Sequence, residues 1–405
     1  MKKKLLILAW ALYDLANQFF AVNIVSLYFV RWITIERNVA EIFYSIFYSI
    51  STFLVAVSSP ILGGISDFSQ RRKPFLVYLT LLSIIFTLLL SSTDNVFLAL
   101  IFFAIANFGC QTAVIFYNAI MVEFADSKDI TVISGIGRAF GYIGAILAIY
   151  LVKDPIIDYG YRFGFLLTAI LFLVFSLPCL LFIKDSSKEN IDFFSFFKKE
   201  RIISVFKRIR QLFNHCRKNP YLANFLKASF LGLCVVNAVI VFMSVYASRV
   251  FGLNEDELSK LIVFSTLFAI LGSFSSGYLC KYLGYRRSLI IIFFLWMVSL
   301  VAASLIRTKT LFWLIGALVG LSLSSSWVIS RAFLVKVSKK EDIGEIFGLF
   351  NFIGYLSTIL GSLFLGISFL ILIIFKEYGY RLSIFNLNIF LVFGLIFLLR
   401  LPKDI

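Results

Sequence analysis

The feature that most constrains this chain is a succession of apolar runs, nearly free of charge, at about 5–32, 41–66, 74–93, 96–121, 131–152, 162–183, 222–248, 258–280, 288–306, 311–335, 344–375 and 382–400. A run of about 18 such residues is long enough to cross a bilayer as a helix. In hydrocarbon every backbone N–H and C=O must be paired within the chain, and helices achieve that one segment at a time. The composition, 60% hydrophobic and 15% charged with 48 Phe, would leave a soluble protein without a water-facing surface. Soluble domains average about 45–50% apolar and about 25% charged residues. The sequence therefore predicts an all-α membrane protein of twelve transmembrane helices in two pseudo-symmetric six-helix bundles, residues 1–184 and 222–405, joined by a linker at 185–221.

The formal net charge of +16 raises nucleic acid as a partner. The cations, however, fall in short clusters between apolar runs, which is the signature of membrane topology and argues against nucleic acid. Lys2–Lys4, Arg71-Arg72-Lys73, the basic stretch from Lys184 to Lys218, Lys281, Arg286, Arg287, Lys336, Lys339, Lys340, Arg400 and Lys403 all fall on one side of a twelve-span path. Basic excess marks the cytoplasmic side, so both termini are expected in the cytoplasm, with the bacterial inner membrane as the expected location. Met1-Lys2-Lys3-Lys4 precedes an apolar stretch with no small-residue cleavage site, and is read as the start of a retained first helix. In the linker Ile202, Phe206, Ile209 and Phe213 recur at helical spacing among Arg201, Lys207, Arg208 and Arg210. That pattern predicts an amphipathic helix on anionic headgroups, or else a plain linker.

The chain also repeats itself. Gly63-x-x-x-Asp67 followed by Arg71-Arg72 meets Gly277-x-x-x-Lys281 followed by Arg286-Arg287, 214 positions later. At an offset of 213, Ala119, Val122, Asp129, Ile130, Gly135, Gly141, Tyr142, Ile146 and Leu147 meet identical residues, and Asp158-Tyr-Gly-Tyr-Arg162 is echoed by Glu377-Tyr-Gly-Tyr-Arg381. A six-helix unit has been duplicated. The loop Gly63-x-x-x-Asp67…Arg71-Arg72 resembles the signature loop of the major facilitator superfamily, and the Gly-x-Arg before spans six and twelve is similar to that superfamily's. Tyr13-Asp14-x-Ala16-Asn17 and Gly141-Tyr142-x-Gly144 resemble its vacuolar amino-acid effluxer-like family. The resemblance implies the major facilitator fold, alternating access, amino-acid-like solutes, and a gating role for Gly63, Asp67, Arg71, Arg72 and their counterparts Gly277, Arg286 and Arg287. On the other reading of those arginines they serve topology alone.

Enzymatic chemistry finds little support. His215 is the one histidine, no G-x-x-x-x-G-K-[ST] loop is present, and the five cysteines lie far apart without a CxxC pair. No cofactor or metal is expected. Polar residues inside the spans are more informative, because a mid-bilayer charge costs at least about 2.5–3.5 kcal/mol. Asp14 lies about 13 Å deep at 1.5 Å per residue, with Asn17 and Gln18 on the same face. It is read as a proton or cation site or a contact for a substrate amine, or else as a structural carboxylate. Asn107, Gln111 and Asn118 form one stripe on span four that either lines a polar pathway or bonds neighbouring helices. Asn237, Ser322 and Ser326 are the candidates of the second half, with Ser330 on the same face. Arg138, on a glycine-rich helix, is a candidate ligand for a carboxylate. Arg331 is expected to reach for the interface. Lys227 falls near the repeat position of Asp14, so a pair between those two is a further expectation. The predicted function is a secondary transporter for a small organic solute, with efflux of amphiphilic compounds, or a non-transporting receptor or lipid-moving protein, as alternatives. A monomer is the default.

Overall fold

A computed structural model describes residues 2–69, 72–120, 130–183, 219–337 and 343–401. Among the described residues there is no strand. Eleven continuous helical stretches among the described residues are long and apolar enough to cross a membrane. The longest, Glu255–Leu305, contains a non-helical residue, Gly284 (φ 78°, ψ 164°), a backbone conformation that side chains resist. Its two arms, 255–283 and 285–305, are each long enough to span. The twelve predicted spans are thus all present.

Span one begins as Lys2–Phe20 and continues through wider π-helical turns, Ala21–Leu27 and Trp32–Glu36, on either side of Tyr28–Arg31. Spans two to six are Glu41–Ser69, Lys73–Leu90, Val96–Ile120, Ile130–Tyr159 and Tyr161–Phe182. Span seven is Pro220–Phe251, eight and nine are the arms around Gly284, ten is Lys309–Val337 and eleven is Ile343–Leu372. Span twelve runs through Glu377–Asn386 and Asn388–Leu399. The apolar run at 344–375 does not stay α-helical throughout: it tightens into a 3₁₀ turn at Ile373–Phe375 and breaks at Lys376 (φ 50°). Local chemistry sets several boundaries. Asn219 accepts from the N–H groups of Tyr221 and Leu222 and Pro220 fills the first helical position of span seven. Asn254 and Glu257 form a reciprocal capping box at the start of span eight.

The chain divides into two compact units, Met1–Val39 with Ile46–Phe206, and Ala40–Ser45 with Lys207–Ile405. Most of the predicted linker, including its amphipathic stretch and His215, lies outside the described residues. Large apolar side chains such as Phe97 (64%), Leu181 (63%) and Phe274 (71%) are exposed. Lipid is the solvent in which such a surface costs nothing.

Inside each unit spans touch backbone to backbone, and one such crossing recurs in both. In the first, a Cβ on Gly144 of span five would sit 2.5 Å from the Leu15 carbonyl oxygen of span one. In the second, Gly361 of span eleven lies as tightly against the Cys234 carbonyl of span seven. Small residues permit such approach, and close packing is what holds helices together where the solvent is itself apolar. The sequence repeat places Gly144 opposite Ser357, whereas the crossing in the second unit is one turn farther on. The duplicated contact has kept its kind and changed its register.

Gly144→Leu is therefore expected to destabilise the purified protein by at least about 1–3 kcal/mol, the usual cost of overpacking. Gly277→Ala, where a new Cβ meets nothing within 4 Å, is expected to change stability by less than about 0.5 kcal/mol. Thermal unfolding of the two variants in detergent checks the contrast.

Candidate functional site

Span one is pinned on one side by aromatic residues. Trp10 and Tyr13 stack on Tyr117 of span four with ring centroids 4.6 and 4.8 Å apart. The Trp10 indole N–H donates to the Tyr117 carbonyl at 3.1 Å, and the Tyr13 hydroxyl is hydrogen-bonded to the Thr80 hydroxyl of span three at 2.5 Å. Phe75, Phe116, Cys179 and Leu180 complete this buried cluster. With Tyr13 directed into it, Asp14 faces span five. A Cβ on Gly141 would lie 3.2 Å from Asp14 Oδ2 and 3.8 Å from Gln18 Nε2. Asp14 and Gln18 are half-buried, one turn apart, and Gly141 is the surface they rest on.

Asn17 lies at the back of the same helix, 5% exposed, its Oδ1 accepting from the Cys110 thiol of span four at 3.9 Å. One turn along span four, Asn107 is fully buried and donates to Ser51 of span two at 2.7 Å. Both amides retain a buried polar atom without a hydrogen bond, Asn17 Nδ2 and Asn107 Oδ1. Of the predicted stripe, Gln111 is half-buried and Asn118 exposed. The structure thus sets Asp14 and Gln18 against span five, and Asn17 against span four on the other side of the helix. The side chain of Arg138 lies outside the described residues.

In the second unit Asn237 donates to Ser357 of span eleven at 3.2 Å, and Ser326 accepts from the Trp296 indole of span nine at 3.0 Å. Ser322 is fully buried and donates to the Leu318 carbonyl of its own helix. Ser330 is 7% exposed. Lys227 is exposed, with its ammonium 5.3 Å from the centre of the Phe397 ring. Counted from the crossing at Cys234, the residue in the place of Asp14 is Leu233. Lys227 lies nearly two turns away, because the crossing shifted while the sequence offset did not. Arg331 is likewise exposed, 5.6 Å from the Trp327 ring.

This helical arrangement has many known counterparts. The sequence model of the Major Facilitator Superfamily matches residues 7–362 and 251–404. The chain belongs to that superfamily. It is similar to the uncharacterized MFS-type transporter YxiO of Bacillus subtilis (strain 168), 24% identical with 98% of this chain and 94% of the relative covered. Among solved structures it resembles the nucleoside transporter NupG, at a TM-score of 0.76 and 15% identity over 99% of both chains. It also resembles a bacterial homologue of the human lysosomal transporter Spinster in an inward-facing, unoccupied conformation, at a TM-score of 0.72 and 13% identity over 98% of this chain and 95% of the other. Superfamily membership makes this protein a secondary transporter and not an enzyme, embedded in the membrane by many spans.

The superfamily loop can be followed where it is described. The surroundings of Gly63, the side chain of Asp67 and the whole of Arg71 lie outside the described residues. Arg72 donates to the Ala119 carbonyl at the end of span four, and Lys73 to the Leu181 carbonyl at the end of span six. In the second unit Arg286 donates to the carbonyls of Leu398 and Leu399 at the end of span twelve. Arg287 and Gly277 are exposed. The repeated Tyr-Gly-Tyr-Arg motif does the same work elsewhere: Arg162 donates to the Ser91 carbonyl after span three, and Arg381 to those of Ser304 and Ile306 after span nine. The last carbonyls of a helix lack intrahelical partners and carry the negative end of its dipole, so a cation is the fitting cap. Sequence reading missed this role. The repeat identified the arginines, but which helix end each one reaches depends on tertiary packing.

Side-chain exposure separates the two motif arginines, 43% for Arg162 and 9% for Arg381. Arg381→Gln is expected to cost about 2–3 kcal/mol, the scale of hydrogen bonds from a charged donor. Arg162→Gln is expected to cost less than about 1 kcal/mol, as for an exposed ion pair. Thermal unfolding of the two variants side by side tests the order.

Proposed function

We propose that this transporter moves a small, polar, nitrogen-bearing organic solute by alternating access, and that Asp14 is its charged anchor, taking either the solute's ammonium group or a coupling proton. The observation that carries the reading is the placement of Asp14. It is a carboxylate about halfway along an apolar helix, half-buried, with Gln18 one turn on and the bare backbone of Gly141 at its side. A carboxylate in that setting is too short to reach either interface and is retained where a partner compensates it. The solved neighbours named for nucleosides and for drug and peptide transport agree with a polar solute, and an amino-acid-like one follows from the resemblance of the Tyr13–Asn17 motif. The clustering of cations supports a cytoplasmic position for both termini. The described cations of the signature loop hold helix ends within one unit, which suits bundles that move as bodies.

A thermal-shift screen of the detergent-purified protein against amino acids, nucleosides, sugars and organic acids identifies the solute, since a ligand that binds the folded state raises its stability. In proteoliposomes loaded with that solute, Asp14→Asn is expected to lower uptake at least about tenfold, the effect of losing about 1.4 kcal/mol of binding, and to flatten its pH dependence if the anchor takes a proton. Unchanged uptake with an unchanged pH profile removes Asp14 from the reading. Gly141→Leu, which fills the space beside the carboxylate, is expected to abolish uptake.

A further inference from the structure

Span twelve ends among cations. Arg286 of span nine donates from Nε and Nη2 to the carbonyls of Leu398 and Leu399, at 3.2 and 2.9 Å. The Phe397 ring, just before them, carries two more. The Lys227 ammonium of span seven lies 5.3 Å from its centre, and the Arg400 guanidinium 5.8 Å from it. Lys227 and Arg400 are exposed. Among the described residues no carboxylate pairs with any of the three cations. A ring face attracts an exposed cation only weakly, and like charges brought together repel. The same end closes an apolar stripe. Ile389, Phe393 and Ile396 are exposed, and with Arg400 they follow one another at intervals of four, three and four, on one helix face. The stripe is about 16 Å long at 1.5 Å per residue, which is the depth of one leaflet of a hydrocarbon core about 30 Å thick.

We propose that Lys227, Arg286 and Arg400 bind the headgroup of an anionic phospholipid, with an acyl chain of that lipid lying along Ile389, Phe393 and Ile396. The phosphodiester oxygens accept from the Lys227 ammonium and the Arg400 guanidinium, whose planar fork matches a phosphate. Arg286 spends two of its nitrogens on carbonyls and offers Nη1 as a third donor. Phe397 holds the two exposed cations at one place, so less side-chain freedom is lost when an anion arrives. A free phosphate ion would meet the same donors but has nothing to lay on the stripe. A choline headgroup brings its own cation beside the phosphate and into the cluster, so a lipid with net negative charge is preferred. Arg286 and Arg400 also belong to the clusters expected to face the cytoplasm, the side on which basic pockets between helices take anionic headgroups. The three cations stand on three different spans, so a bound headgroup ties spans seven, nine and twelve together. The site lies wholly within the second unit and rests on nothing proposed for Asp14.

Native mass spectrometry of the full chain in a neutral detergent, titrated with dioleoyl phosphatidylglycerol or dioleoyl phosphatidylcholine, reads the site. The wild type is expected to bind the first phosphatidylglycerol more tightly than phosphatidylcholine. A basic side chain beside an anionic headgroup contributes about fivefold in affinity. Lys227→Gln and Arg400→Gln are each expected to weaken phosphatidylglycerol binding by that factor, and the double variant by about twenty-five-fold if the two act independently, with phosphatidylcholine binding unchanged. Lys227→Arg keeps the charge and is expected to retain the preference. Arg307→Gln removes an exposed cation at the other end of span nine and is expected to leave both affinities at the wild-type values. Millimolar inorganic phosphate is expected to leave the lipid bound. Equal wild-type affinity for the two lipids, a preference that survives in the double variant, an equal loss in Arg307→Gln, or displacement by inorganic phosphate overturns the proposal. Thermal unfolding without added lipid verifies that the variants are folded, and if the double variant is not, the two single variants decide the matter.

Discussion

Hydrocarbon cannot hydrogen-bond, and most of what is built into this protein answers that fact. Along a span the helix satisfies its own backbone. At its C-terminal end the last carbonyls are left over, where the helix dipole points its negative end outward. The chain meets the remainder with cations drawn from neighbouring helices: Arg72 on span four, Lys73 on span six, Arg286 on span twelve, Arg162 on span three and Arg381 on span nine. At Arg72, Lys73 and Arg286 a member of the basic clusters expected to orient the spans is thereby also a fastener between helices. One substitution at such a position disturbs topology and packing together, so the two roles are not separable by mutation alone.

The same solvent removes the usual reason for helices to associate. Burying apolar surface gains little when the alternative is lipid, so contact must come from close approach. Gly144 against Leu15 and Gly361 against Cys234 provide it. In the first unit this packing contact has a chemical consequence. Leu15 is the neighbour of Asp14, and Gly141 lies just before Gly144 on the same helix face. The crossing that brings spans one and five together therefore also brings bare backbone beside the carboxylate. The room around Asp14 is set by packing, and a bulkier residue at either glycine would alter both.

Two acidic side chains inside apolar helices show how differently such a helix can place a charge. Asp14 is half-buried along the length of span one, beside Gln18 and Gly141. Glu41 is almost fully enclosed at the start of span two, between a phenol and a guanidinium. The first is the anchor proposed for an arriving solute or proton, and the second holds neighbours already in contact. A carboxylate's cost in a low-dielectric surrounding is high in both places, which is why each carries polar company within a few ångströms.

The number of spans, their duplication and the membership of a transporter superfamily were all legible in the sequence, because periodic apolar length and repeated motifs are properties of the chain read in one dimension. The face of Asp14 was legible too, since helical spacing alone puts Asn17 and Gln18 beside it. Register between helices was not. The sequence offset assigned Lys227 to the place of Asp14, and only the crossing at Cys234 shows Leu233 there, because sliding one helix by a turn changes every neighbour without changing a letter. Nor could spacing bring Glu41 to Tyr380 and Arg249, more than two hundred residues away. Glu41 stands at the edge of an apolar run, where a charge usually reads as interfacial. Its burial is decided by what distant helices present to it, and that is information the tertiary structure alone contains.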